Sequence, residues 1–333
     1  MRARTRIIAP LALAVALTAA CGNSGSSGTG GNNSDNTAAA GQTCAPVAGD
    51  QLVVLEDDKH LQNADNVIPA VNAATATSQP AVLPALNAVS AALTTKDLVN
   101  MNHAVDVDRK SAEDVAAAWV KKSGVTDGLA KGSGPIAVGG ANFTESVVLA
   151  NVYADVLKAA GFDASVREVG SRDLYLKALT EGTEIQAFPE YLATVTEFLD
   201  GDDAKQVASG DVQKTLDALK PLAEKAGLVF GDPSDAVDQN AFAVTTAFAD
   251  KLDVRTLSEL ADACGDGSLI LGGPTECPTR PYCQIGLEDT YGLKFAGFQE
   301  YGDTGGPLTK AAIQKGEVSI GLVFSSDGAL AQG

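Results

Sequence analysis

An α/β fold in two lobes is what this sequence predicts. Three observations carry that reading. From residue 134 onward, short apolar runs alternate with helical patterns. The alternation comes in two blocks of about a hundred residues each, which suggests two parallel-sheet lobes. Of the 333 residues 45% are hydrophobic, enough to bury a sizeable core. The end of the chain raises a difficulty for this fold. In "VSIGLVFSSDGALAQG" (318–333), Val318, Ile320, Leu322 and Phe324 alternate with small or polar residues, as in a buried strand, and a Ser-Ser-Asp-Gly turn follows. Domains usually finish on a surface element that seals the core, so the continuation must be supplied from elsewhere.

The first residues read as an export signal. "MRARTRIIAPLALAVALTAAC" has three arginines, an apolar run and small residues before Cys21, the layout of a secretory leader over 1–20. The run is too short and too Ala-rich to favour a membrane span. "LTAAC" resembles a bacterial lipobox, in which the cysteine is lipidated and becomes the first residue. Thr18 fits that pattern more loosely than Ala or Ser, and a simple cleaved signal is the alternative. Cys21 is therefore the expected anchor, holding the protein outside the cytoplasm on the cell membrane. Residues 21–43 lack apolar periodicity and read as a flexible tether. The formal charge is −18, and removing 1–20 leaves 21 basic against 42 acidic side chains. So acidic a surface argues against nucleic acid and against anionic lipid as partners.

The elements follow in order. "GDQLVVLEDDKH" (49–60) is one strand with only tether before it, and "NVIPAVNAATA" (66–76) reads as another. Residues 78–124 are helical, with Ser111 and Asp114 at a capping-box spacing, and "VTDGLAKGSGP" (125–135) is a Gly-rich joint. "PIAVGG" (135–140) is a strand; 142–161 is a helix with Asn142 and Glu145 as a capping box, a Val148, Val152, Val156 stripe and Gly161 at its end. "DASVREVG" (163–170) is a strand, 171–182 a helix, and "EIQAFPEY" (184–191) a strand ending at Tyr191. Helical patterns fill 193–226. A second block then runs through "NAFAVTTAF", "TLSELADAC", "GSLILGG", "GLEDTYGL" and "GPLTKAAIQKGE" to the final strand.

Setting Cys21 aside, Cys44, Cys264, Cys277 and Cys283 form an even set with three possible pairings. A zinc site is the rival, but Cys277 and Cys283 lie six apart and the only histidines, His60 and His103, are far from them. The expected bridges are Cys277–Cys283, closing a short loop around Arg280, and Cys44–Cys264, tying the front of the chain to the second block.

Several segments together resemble one family. "VGGANFTESVVLANVYADVLKAAGF", "EIQAFPEYLATV", "GGPTECPTRPYC", "GGPLTKAAIQKGEVSIGLVFSSDG" and "LVVLEDDK" are similar to the substrate-binding proteins of glycine-betaine/choline-type osmoprotectant ABC importers. The resemblance implies a two-lobed, periplasmic-binding-protein-like α/β fold with two hinge strands. In that family "LVVLEDDK" directly follows the "FSSDG" segment, and the counterpart of 78–124 stands last. Here those pieces come first, so a circular permutation is implied. The joint at 126–135 spans at most about 35 Å, feasible between neighbouring termini. Pairing by swapping with a second copy is the rival. Lobe I is expected over 66–238, and lobe II over 239–333 plus 44–59, with crossovers near Asp238–Asn240 and His60–Asp65.

The resemblance also implies a binding site. Family pockets hold a quaternary ammonium in a box of aromatic rings and its carboxylate with basic or hydroxyl side chains. Tyr191 matches the cage tyrosine, Thr194 the hydroxyl after it and Arg280 the carboxylate-binding arginine. Phe324 keeps a cage ring without its hydroxyl. Asn142 is first a helix cap and second a ligand contact. Ala141 stands where a lysine is frequent; Asn240, beside Asp238 in one crossover, and Asp65 in the other stand where aromatics are frequent. Such a pocket suits a hydroxylated or amine-bearing solute at least as well as betaine, and Asp65 is the discriminating position. The function implied is a monomeric, lipid-anchored receptor that passes a small solute to an ABC permease, with no cofactor, metal or catalytic residue. A sensing or scaffold lipoprotein is the alternative. An extracellular hydrolase is disfavoured because no G-x-S-x-G or H-E-x-x-H motif appears.

Overall fold

The computed structural model describes residues 44–170, 172–201, 206–275, 277–303 and 305–331. The expected leader, tether and Cys21 lie outside the described residues. Among the described residues ten strands make two five-stranded sheets. They are β1 (Leu52–Leu55), β2 (Val67–Asn72), β3 (Pro135–Ala141), β4 (Asp163–Gly170), β5 (Ala187–Tyr191), β6 (Leu228–Phe230), β7 (Asn240–Thr245), β8 (Leu269–Gly273), β9 (Phe295–Glu300) and β10 (Ile320–Phe324). One sheet has the order β1-β7-β10-β8-β9, the other β4-β3-β5-β2-β6. Each sheet, with the helices on its faces, forms a lobe.

Both sheets are mixed, which corrects the expectation of parallel lobes. In one, β4, β3 and β5 run parallel, whereas β2 runs against β5 and β6 against β2. In the other, β9, β8 and β10 run parallel, whereas β7 runs against β10 and β1 against β7. The reason is the path of the chain. β2 and β7 are the strands that follow the two passages between sheets, so each enters from the cleft side while β5 and β10 run toward it. The two passages lie side by side: the Asp238 N–H donates to the Asp65 carbonyl at 3.2 Å, the Val67 N–H to the Ala236 carbonyl at 2.9 Å, and Asn66 bridges Val237 antiparallel.

The interior strands β2 and β5 are buried along their whole length, as strands covered on both faces must be. One apolar cluster covers each face of each sheet: Val138, Val152 and Trp119 on one side of β3, Tyr175, Phe188 and Val195 on the other. Tyr175 and Phe188 stack at 3.8 Å between centroids. Gly139 is required there, since a Cβ at that position would stand 2.8 Å from the Phe188 ring. Two strands had no counterpart in the sequence reading, the three-residue β6 and the largely exposed edge β9. The GLEDTYGL segment forms a π-type turn, Leu287–Tyr291. Among the described residues no helix is long and apolar enough to cross a membrane.

Both expected disulfides are present, Cys44–Cys264 and Cys277–Cys283, with Cα separations of 5.8 and 5.1 Å. Residues 44–49 run along lobe II, where the Ser319 hydroxyl donates to the Cys44 carbonyl (3.0 Å) and the Thr245 hydroxyl to the Val47 carbonyl (2.8 Å). At the other end of the chain, Leu330 joins the cluster of Leu52, Val54, Ala241 and Val323. β1 and β10 belong to one sheet, with β7 standing between them.

Candidate functional site

The carboxyl ends of β5 and β10 and the first residues of β2 and β7 converge on a cleft between the lobes, at the place where the chain passes between sheets. Two cavities of about 350 and 590 Å³ open there and share Asp238 and Phe324 in their linings. Phe324 closes β10 opposite Asn240 at the start of β7. The four strand residues before it are buried, but at the sheet's end no helix remains to cover the ring, which is 38% exposed.

The smaller cavity is lined by side chains from both lobes. Asp65, in the first passage, accepts hydrogen bonds from both the N–H (2.9 Å) and the hydroxyl of Thr194. Thr194 lies in the first turn of helix Leu192–Asp200, whose own N-cap, Tyr191, makes no side-chain capping bond. A carboxylate from a distant segment therefore caps this helix and meets its positive end. Glu197, one turn on, accepts from the Ala208 N–H at 2.7 Å and lines the same cavity. Facing them, Tyr282 comes from the disulfide-closed loop 277–283. Its hydroxyl accepts from Asn63 (3.3 Å) and its carbonyl from Gln62 (3.0 Å). No Lys or Arg is among the described lining residues.

The larger cavity holds a buried polar chain. The Tyr191 hydroxyl donates to Glu145 Oε1 at 2.6 Å, and Asn102 Nδ2 donates to Glu145 Oε2 at 2.7 Å and to the Ser326 carbonyl at 2.8 Å. Two acceptors on one nitrogen fix the amide's orientation and leave Asn102 Oδ1, buried, without a partner among the described residues. Lys310 is the one basic residue among the described lining residues, and it pairs with Asp327.

Burial sets the charge state of the site. It raises the carboxyl of Asp238 to about 7, aided by the Glu145 carboxylate and opposed by a bond from Ser326 Oγ (2.8 Å). Burial likewise raises Asp65 against its Thr194 bonds, and Glu145 against those from Tyr191 and Asn102. Fully buried Glu190 is raised as well, although Arg172 pairs with it at 3.2 Å.

The structure brings Asp65, Thr194, Asp238, Asn240 and Phe324 together in one cavity, and places the other expected contacts elsewhere. Tyr191 is 5% exposed and lines neither cavity; its hydroxyl is committed to Glu145, and its ring lies 6.4 Å from that of Phe143, which does line the larger one. Arg280 is half-buried on the loop and lines neither cavity, because the loop turns its neighbour Tyr282 inward. Asn142 is exposed and does not cap the helix, which starts at Thr144 behind Phe143. The expected capping box fails because the Glu145 carboxylate is drawn to Tyr191 and Asn102, while Thr144 donates to Asp106 at 2.7 Å. The sequence reading missed Gln62, Asn63, Glu145, Glu197 and Tyr282 as cavity residues. Only Tyr282, an aromatic inside a predicted disulfide loop, carried a signal that would have found it.

A family model described as the substrate binding domain of an ABC-type glycine betaine transport system matches residues 35–122 and 134–332. The glycine betaine-binding protein YehZ of Escherichia coli (strain K12) is 26% identical over 204 residues, 59% of this chain and 66% of that protein. The chain thus spans slightly less than two thirds of that relative's length. A crystal structure of a glycine betaine/carnitine/choline ABC transporter protein aligns with a TM-score of 0.44 at 19% identity, covering 59% of this chain and 70% of that one.

Proposed function

The chain belongs to the family of substrate binding domains of ABC-type glycine betaine transport systems, and from that premise we propose that it is an extracytoplasmic solute receptor, anchored by lipid at Cys21, that passes a small polar or quaternary-ammonium solute to an ABC permease. The observation that carries this reading is the cleft itself. Its walls come from two lobes joined by two adjacent passages, and Phe324 and Tyr282 from one lobe face Thr194 and Glu197 from the other. A site built this way is completed when the lobes approach, so binding favours a closed form and the closed form signals occupancy to the membrane partner. The cavity volumes suit a molecule of metabolite size. A ligand that binds only the folded protein must raise its unfolding temperature. A thermal-shift screen against choline, carnitine, glycine betaine, polyamines and sugars is therefore expected to return at least one dose-dependent stabiliser. A flat response to every class would overturn the receptor reading.

A further inference from the structure

The two cavities together offer an unusual balance of charge. The smaller is lined by Asp65, Glu197 and Asp238 with no basic side chain among the described residues. The larger adds Glu145, Asp106 and Asp327, against which, among the described residues, stands Lys310, already paired with Asp327. Among the described residues of the two linings, a carboxylate-bearing solute would meet no cation that is not already paired, and at a pH above about 7 it would face the charge of Asp238. Repulsion within a cavity is large unless screened. A cation, by contrast, would find acidic acceptors on one wall and the rings of Tyr282 and Phe324 on the other.

Hydrogen-bonding inventory narrows the class further. Asn102 lines the larger cavity, its buried Oδ1 has no hydrogen-bond partner among the described residues, and the two acceptors on its nitrogen prevent the amide from turning over. A buried acceptor left open favours a donor arriving with the ligand. The carboxylates, whose oxygens each take several hydrogen bonds, likewise call for donors. A fully methylated ammonium has no N–H to give.

We infer that the cleft selects an organic cation bearing N–H donors and no carboxylate, such as a primary or secondary amine, in preference to glycine betaine; this rests on the receptor reading above. Asp238 is the residue common to both cavities and the natural counter-charge. Glu145, Asp65 and Asp327 face it, and Ser326 donates to it.

Isothermal titration at pH 8 with 1,4-diaminobutane, spermidine, ethanolamine, choline and glycine betaine tests the inference. At least one amine is expected to bind tenfold or more tightly than glycine betaine. The Asp238→Asn variant should lose at least tenfold in affinity for that amine while its unfolding temperature stays level or rises, since a buried charge is removed. Glycine betaine or choline binding as tightly as the best amine would overturn the inference and leave the receptor reading standing. An Asp238→Asn protein that binds the amine as well as the parent would also overturn it. If none of the five binds, the inference falls, and the wider thermal-shift screen decides the receptor reading.

Discussion

Asp238 shows how a single buried carboxyl sets the behaviour of a site. An aspartate in the unfolded chain titrates near 4, whereas burial and the Glu145 carboxylate raise this one to about 7. Its contribution to stability is therefore whole below about pH 4 and is lost as pH rises through about 7, because the folded protein keeps a proton that the unfolded chain releases. Asp65, Glu145 and Glu190 are shifted in the same direction and add to the effect. Thermal melts followed by circular dichroism should show a lower midpoint at pH 8 than at pH 5.5, and Asp238→Asn should flatten that slope. A midpoint that is steady or rises over this range would contradict the assignment. Asp65, Thr194 and Phe324, singled out by the family resemblance, do line one cavity. The roles of Glu145 and Tyr191 were not legible in the sequence. Their partners lie 43 and 46 residues apart in sequence, and no local spacing announces such a bond.

Among the elements, the disulfide-closed loop does more than staple the chain. It turns Tyr282 toward Gln62 and Asn63, whereas Cys44–Cys264 holds the front of the chain against lobe II. The two bridges close loops of very different length, with separations of 6 and 220 residues. In the chain-entropy account the longer loop stabilises by about 3 kcal/mol more than the shorter. Replacing Cys44 and Cys264 by alanine should therefore lower the denaturant midpoint more than replacing Cys277 and Cys283, whereas the second pair should weaken ligand binding more. Urea titration and calorimetry of both double variants decide it, and the reverse order would refute it. Strands β3, β5, β8 and β10 were legible as apolar runs because each is covered on both faces. β9 was not, since most of its residues are exposed and Gly297 breaks the alternation; β6 has only three residues, and its pairing with β2 supplies what its sequence lacks.

For the whole molecule, the arrangement of segments is the outstanding matter. We propose that the chain is a circular permutation of its family. The family match falls in two stretches parted at 123–133, which overlaps the Gly-rich joint, and Leu330 near one end of the chain shares a cluster with Leu52. A rearranged protein, opened within 126–133 and joined from residue 331 to residue 49 by a short Gly-Ser linker, should fold to a monomer with ligand affinity within about threefold of the parent. Aggregation, or a dimer that binds only when exchanged, would favour swapping. Strand direction was not legible in the sequence, because it depends on which side of the sheet each passage enters.

The paired passages have a consequence for the timing of capture. Asp65 and Asp238 are held to one another by a backbone hydrogen bond where the chain crosses between sheets. They stand at the fulcrum, where a rotation of the lobes displaces atoms least, whereas Tyr282 and Glu197 ride on the arms. In a receptor that closes about this point, the fulcrum charges greet the solute before closure and the arms detain it afterward. Stopped-flow measurements should then find Asp238→Asn mainly slowing association and Tyr282→Ala mainly hastening release. Equal effects of both substitutions on release would show that the charges travel with the arms.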